Sequence, residues 1–165
     1  SGIIIDTNNF TAKTGVRTFE AAAFLRRCGA DVTRVRKMFR DDVKSYRAKA
    51  EAIRHVETYK TCFAIAVCPS EGIDSPTVVA SQAANELLNV DSIKATFVLT
   101  DYQGKIFISA RAIDEVNVQL IMEKMGGGGH INMAGAQLPG VTVEEAIRQL
   151  KATLDQMMKE GDIEV

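Results

Sequence analysis

The stretch Lys94-Ala95-Thr96-Phe97-Val98-Leu99-Thr100, the turn Tyr102-Gln103-Gly104 and the return Lys105-Ile106-Phe107-Ile108-Ser109-Ala110 decide the fold. Ala95, Phe97 and Leu99 alternate on one side of the first segment, Ile106 and Ile108 on one side of the second. A period of two puts alternate side chains on one face of a strand, and the glycine-bearing turn joins the two segments as a β-hairpin. Helical patterns flank it. Upstream, Ser75-Pro76 opens a helix through Leu88, with Pro76 at the first helical position and Val79, Ala83, Ala84, Leu87 and Leu88 on its apolar face. Downstream, residues 114–125 read as a helix with Val116, Leu120, Ile121 and Met125 apolar.

Working outward, Thr61 to Val67 predicts a strand closed by Pro69 and Gly72, and Pro69 to Ser75 a loop. Ala134 to Leu138 predicts a short returning strand. Thr142 and Glu145 form a Thr-x-x-Glu capping box for a last helix, which Gly161 ends. Val143, Ala146, Ile147, Leu150, Leu154, Met157 and Met158 form its core-facing stripe. Strands alternating with helices place this region in the α/β class.

The first part of the chain is different. Ser1-Gly2-Ile3-Ile4-Ile5-Asp6 reads as a strand stub, and a chain opening inside an apolar run is expected to be the C-terminal piece of a longer protein. Thr18 is expected to cap a helix bearing Phe19, Ala22, Ala23 and Phe24 and stopped by Gly29. Asp31 or Thr33 opens the next helix, and residues 41–57 form another. The expected division is 1–58 and 59–165, where helix gives way to strand near Val56 to Lys60.

Of 165 residues, 46% are apolar and 25% charged, which suits a globular domain. A net charge of −1 gives no global field toward DNA or an anionic membrane. The apolar run Phe63 to Cys68 is far shorter than the ~20 residues of a membrane span. Cys28, Cys62 and Cys68 are too few and too scattered for a disulfide framework or a zinc site, and read as thiols of a reducing cytoplasm. Basic residues crowd Arg26 to Arg54, either as a solvated helical face or as a surface for a polyanion. His55 lies among them with no obvious partner.

Gly126-Gly127-Gly128-Gly129-His130 is the chemistry-bearing motif. One glycine would stop the preceding helix. Four in a row predict close backbone approach to something, or several positive-φ positions, and their N–H groups form a nest for an anion. His130 adds a donor for a phosphate oxygen or a base carbonyl. A phosphate-bearing nucleotide is the expected ligand. A flexible linker and a structural histidine are the readings that compete with it. The run lacks the Gly-Lys-Ser/Thr ending of a P-loop, and it follows a helix where a dinucleotide fingerprint precedes one. Arg111 closes the hairpin, where its guanidinium fork suits phosphate, with Ser109 beside it and Asn117 as a further polar contact. Asp6 ends the first apolar run either as a Mg²⁺ or Mn²⁺ ligand or as a loop cap.

Gly126 to His130, with Ile106 to Arg111 before it and Val116-Asn117-Val118-Gln119 between, resembles the DHHA1 domain, the substrate-binding domain that follows the catalytic Asp-His-His domain of DHH-family phosphoesterases. Gly2 to Phe10, with Arg17-Thr18-Phe19-Glu20 after it, resembles the last metal-binding motif of that catalytic domain. The combination is most similar to the membrane-bound cyclic-di-AMP phosphodiesterases of the GdpP/YybT type. The resemblance implies a DHHA1-like mixed β-sheet flanked by helices, preceded by a helical segment from the end of a DHH domain. It implies a bacterial parent enzyme in which two Mn²⁺ ions bridge a phosphodiester and activate water. Asp6 then matches the final Asp ligand. Ser109, Arg111, Asn117, Gly127, Gly128, Gly129 and His130 match the nucleotide-holding part. The implied partner is a cyclic dinucleotide or a short oligonucleotide, with this part cytoplasmic and the parent anchored in the membrane; a homodimeric parent is one arrangement open to it.

Two departures matter. The Asp-His-His triplet and the earlier Asp ligands are absent from this sequence, so the isolated chain is expected to be inactive. Ala112 follows Arg111 where relatives usually carry Ser, which puts one hydrogen bond to substrate in doubt. Two other functions compete: an oligoribonuclease or 3′-phosphoadenosine-phosphate phosphatase, and a non-enzymatic RNA- or single-stranded-DNA-binding module using the basic helices.

Overall fold

A computed structural model describes residues 2–7, 9–10, 13–40, 42–113 and 116–163. The chain divides into two compact units, Ser1–Asp41 and Asp42–Val165.

The described residues of the first unit form three helices: α1 (Gly2–Asp6), α2 (Val16–Arg27) and α3 (Val32–Met38). The strand expected at Ile3 to Ile5 is therefore a helical turn. Isoleucine favours strands only where a neighbouring strand takes up the backbone groups, and the described residues of this unit contain no strand. A helical turn satisfies them locally: Thr7 donates to the Ile3 carbonyl from its amide at 3.0 Å and from Oγ1 at 2.6 Å. α2 begins before Thr18, which serves from inside the first turn, its hydroxyl accepting from the Gly15 amide at 3.3 Å. Gly29 follows the helix end with φ +93°, and Asp31 caps α3 by accepting from the Thr33 amide.

The second unit is a three-layer sandwich. In chain order it runs α4 (Val43–Arg54), β1 (Glu57–Tyr59), β2 (Phe63–Val67), α5 (Pro76–Leu87), β3 (Ala95–Tyr102), β4 (Lys105–Ala112), α6 (Val118–Lys124), β5 (Gly128–His130), β6 (Met133–Pro139) and α7 (Val143–Glu160). The sheet order is β1-β2-β3-β4-β6-β5; β2 and β3 run parallel and the other neighbours antiparallel. It is a mixed α/β sheet, with the β3–β4 hairpin at its centre. Gln103 and Gly104 turn that hairpin with φ +53° and +73°.

Alternation along β2 and β3 divides their side chains between two cores. Phe97, Leu99, Ile106, Ile108 and Ala110 pack with Ile121 and Met122 of α6 and Leu150, Leu154 and Met157 of α7. Ala64, Ala66 and Val98 on the other face pack with Ala48 and Ala52 of α4 and Val79, Ala80, Ala83 and Leu87 of α5. Burying a leucine or methionine side chain of this kind stabilises a fold by about 1.5–3 kcal/mol. The buried threonines are satisfied: Thr96 Oγ1 donates to the Ala84 carbonyl and Thr100 Oγ1 to the Cys68 carbonyl, both at 2.9 Å. Thr142 caps α7 and Gly161 ends it in the left-handed region, as the sequence pattern predicts.

Three details depart from the sequence reading. β1 is an unexpected edge strand, tied to α7 by Tyr59, whose hydroxyl lies 2.9 Å from both Asp155 carboxylate oxygens. α6 starts at Val118 rather than 114, because the Asn117 side chain accepts from the Gln119 and Leu120 amides and fixes the N-terminus there. His55 does have a partner: its Nδ1 lies 3.1 Å from the Glu51 carboxylate one turn back.

Candidate functional site

α5 packs on β3 and β4, and among the described residues no helix of its face covers β6 and β5, where Met133, Gln137 and His130 are exposed. The register fixes what stands on this open half-face, because directly paired residues project to the same side. Arg111 on β4 pairs with Met133 on β6, which pairs with His130 on β5. Ser109 pairs with Gly135, which pairs with Gly128. Phe107 pairs with Gln137. Three parallel rows result: a row of Arg111, Met133 and His130, a middle row of Ser109, Gly135 and Gly128, and a row of Phe107 and Gln137. The middle row carries almost no side chain, so it forms the floor of a depression of about 450 Å³. Thr77, from the first turn of α5, also lines it, with Phe107, Ser109, Gly126, Gly127, Gly128, Gly135 and Gln137.

The glycine run performs three different tasks. Gly126 stops α6 with φ +77°, and the amides of Gly126 and Gly127 return to the Glu123 and Met122 carbonyls at 3.0 and 2.8 Å. Gly127 and Gly129 let β5 lie against β6. A Cβ on Gly127 would sit 2.1 Å from the Gly135 carbonyl oxygen, and one on Gly129 2.5 Å from Ala134 Cα. Gly128 has nothing within 4 Å of a Cβ and opens on the depression. The run is thus largely an edge strand rather than a free loop, and the backbone it approaches closely is that of β6.

Arg111 is half-buried, and burial lowers its pKa from the ordinary value. Its Nε donates to the Asn85 side-chain oxygen of α5 at 3.0 Å and its Nη1 to the Ala110 carbonyl at 2.8 Å. Among the described residues no carboxylate pairs with it. A partly desolvated guanidinium whose partners among the described residues are neutral acceptors favours an incoming anion. His130, two strands away on the same row and therefore roughly 10 Å off, is exposed, and its imidazole has no hydrogen bond or ion pair among the described residues. Asn117 has its side-chain oxygen committed to the α6 cap. Ala112 is buried in the core on the opposite face of the sheet, so a hydroxyl there would point away from the depression.

Asp6 is exposed at the end of α1 in the first unit. Among the described residues no three His, Cys, Asp or Glu side chains converge as metal ligands. One carboxylate does not make a catalytic metal centre, so the residues present do not fit one by themselves. Lys49, counted from sequence among the basic surface residues, is buried and pairs with Glu86 of α5 at 2.7 Å. No helix among the described residues is long and apolar enough to cross a membrane.

Sequence reasoning missed Thr77, Asn85, Gly135 and Gln137. Asn85 sits beside the buried alanines of α5 with no motif around it, and Gly135 and Gln137 gain meaning only from their register with β4 and β5.

The chain is 42% identical over 96% of its length to the cyclic-di-AMP phosphodiesterase PdeA of Listeria monocytogenes, and 42% identical over 98% to the cyclic-di-AMP phosphodiesterase GdpP of Bacillus subtilis. It spans 24% and 25% of the length of those relatives. Among solved structures it is similar to an exopolyphosphatase-related protein from Bacteroides fragilis, with a TM-score of 0.82 at 19% identity over 94% of this chain and 48% of that one. That likeness speaks to the fold. The DHHA1 domain matches residues 60–160, and the chain accordingly belongs to the DHHA1 domain family.

Proposed function

We propose that this chain is the nucleotide-holding part of a phosphodiesterase that hydrolyses cyclic-di-AMP to the linear dinucleotide. The observation that carries the reading is Arg111: a half-buried guanidinium with no counter-ion among the described residues, held by Asn85 on the row that ends in His130. In this reading Arg111 and His130 grip phosphate oxygens, and the floor of Ser109, Gly135 and Gly128 lets the ligand lie close to the sheet. Gly127 and Gly129 act indirectly by seating β5, and Asn117 by fixing the start of α6. The identity to two cyclic-di-AMP phosphodiesterases over nearly the whole chain supports the choice of substrate. Asp6 would supply one carboxylate to a Mn²⁺ centre whose other ligands come from outside this chain. By itself the chain binds and does not turn over. The parent works on the cytoplasmic side.

Kinetics of the parent protein test this. Arg111→Ala and His130→Ala are expected to raise KM for cyclic-di-AMP at least tenfold, whereas the isolated chain binds the dinucleotide and leaves it intact. An unchanged KM in both variants would sink the assignment.

A further inference from the structure

Gln137 and Phe107 stand on the side of the glycine floor opposite Arg111 and His130. Both line the depression, and nothing in the phosphate-gripping role uses them. The two outer rows are four residues apart along β4, about 13 Å at 3.3 Å per residue. That separation suits a ligand with an anionic end on one row and a flat ring reaching the other. Phe107 offers ring surface: it is half-buried and held by Tyr102 at 6.3 Å between centroids. Gln137 is exposed and its side chain has no hydrogen-bond partner among the described residues, so its carboxamide is available.

We infer that Gln137 is the residue that selects the base, reading adenine through its carboxamide while Phe107 packs against the ring. The inference rests on the nucleotide-binding role proposed above. Its chemical basis is complementarity. A carboxamide presents one donor and one acceptor side by side, and adenine presents N7 as acceptor beside the N6 amino group as donor. Hypoxanthine and guanine carry a carbonyl oxygen at the same place, which would face the Gln137 oxygen without a proton between them. A matched pair discriminates by about 1–3 kcal/mol, on the order of five- to 150-fold in affinity.

The test is calorimetric titration of the whole chain with two linear dinucleotides, diadenylate and diinosinate, on wild type, Gln137→Ala and Arg111→Ala. Wild type is expected to prefer diadenylate by about tenfold. Gln137→Ala is expected to lose that preference by weakening diadenylate while diinosinate binds as before, which also shows that the variant is folded. Arg111→Ala weakens both ligands alike. A preference that survives in Gln137→Ala overturns the inference, as does a wild type without one, and in either case the phosphate site stands if Arg111→Ala still weakens both. Absence of binding to wild type would overturn both readings.

Discussion

Alanine at Gly127 would bring a Cβ to 2.1 Å from the Gly135 carbonyl oxygen and 2.7 Å from Ala136 Cα. Ordinary carbon–oxygen contacts begin near ~3.3 Å, so β5 must move by roughly an ångström, more than its ladder with β6 tolerates. Overpacking costs about 1–3 kcal/mol, and losing one or two ladder hydrogen bonds adds about 1 kcal/mol each. Together these give about 3 kcal/mol, or roughly 10 °C of Tm for a domain of this size. Gly129→Ala meets Ala134 Cα and the Met133 carbonyl oxygen at 2.5 Å from a backbone at φ +150°, and is expected to behave alike. Gly128→Ala is the contrast. Nothing lies within 4 Å of its Cβ, and its backbone is outside the left-handed region. Loss of unfolded-state freedom should leave it equal to wild type or more stable by up to ~1 kcal/mol. Its methyl group nevertheless projects into the depression, and dinucleotide affinity should fall roughly tenfold, about 1.4 kcal/mol. Urea unfolding and a binding titration on the three variants read both quantities. If Gly127→Ala and Gly129→Ala unfold like wild type, or if Gly128→Ala is the least stable of the three, the division of roles within the run is wrong.

Other outcomes follow from the same contacts. Arg111→Lys is expected to recover less than half of the binding free energy lost in Arg111→Ala, because an ammonium lacks the fork that Asn85 orients; titration against cyclic-di-AMP measures it. Asn85→Ala leaves the charge in place and should weaken binding less than Arg111→Ala, with a KM effect in the parent and little change in kcat. Burial pushes the Cys68 thiol up to about 11 from an ordinary 9.0. The stability it contributes is therefore complete below about pH 9 and lost as pH rises toward 11, and Cys68→Ala should flatten urea unfolding across that window. Only exposed Cys28 should react promptly with a thiol reagent in the native chain, with Cys62 and Cys68 reacting on unfolding. Leu150→Ala removes a fully buried side chain from α7 and should destabilise by about 2–5 kcal/mol in chemical denaturation.

Most of the α/β architecture was legible because its signals are local. Alternation wrote the β3–β4 hairpin, Ser75-Pro76 wrote the start of α5, and Thr142 with Glu145 wrote the start of α7. β1 was not legible, since its turn uses Lys60 and Thr61 at positive φ where a glycine or asparagine would have announced it. α1 was misread because three isoleucines look like a strand, whereas the described residues of the first unit offer no strand to pair with. In the site, the sequence pointed to Arg111, Ser109 and the glycine run, and the register sets Arg111, Ser109, Gly128 and His130 on one face of the sheet. The purpose of the glycines was only half visible: close approach could be inferred, but that the approached backbone is β6 is a tertiary fact. Asn85 and Gln137 depend wholly on packing and pairing across elements distant in the chain.

The most direct measurement is an amide-shift titration of the isotopically labelled chain with cyclic-di-AMP. The expected perturbations cluster at Ser109, Arg111, Gly127 to His130, Gly135 and Gln137, and leave β1 and the outer face of α7 unmoved. Perturbations confined to the basic helices α2 and α3, or none at saturating ligand, would contradict a nucleotide site on the open face of the sheet.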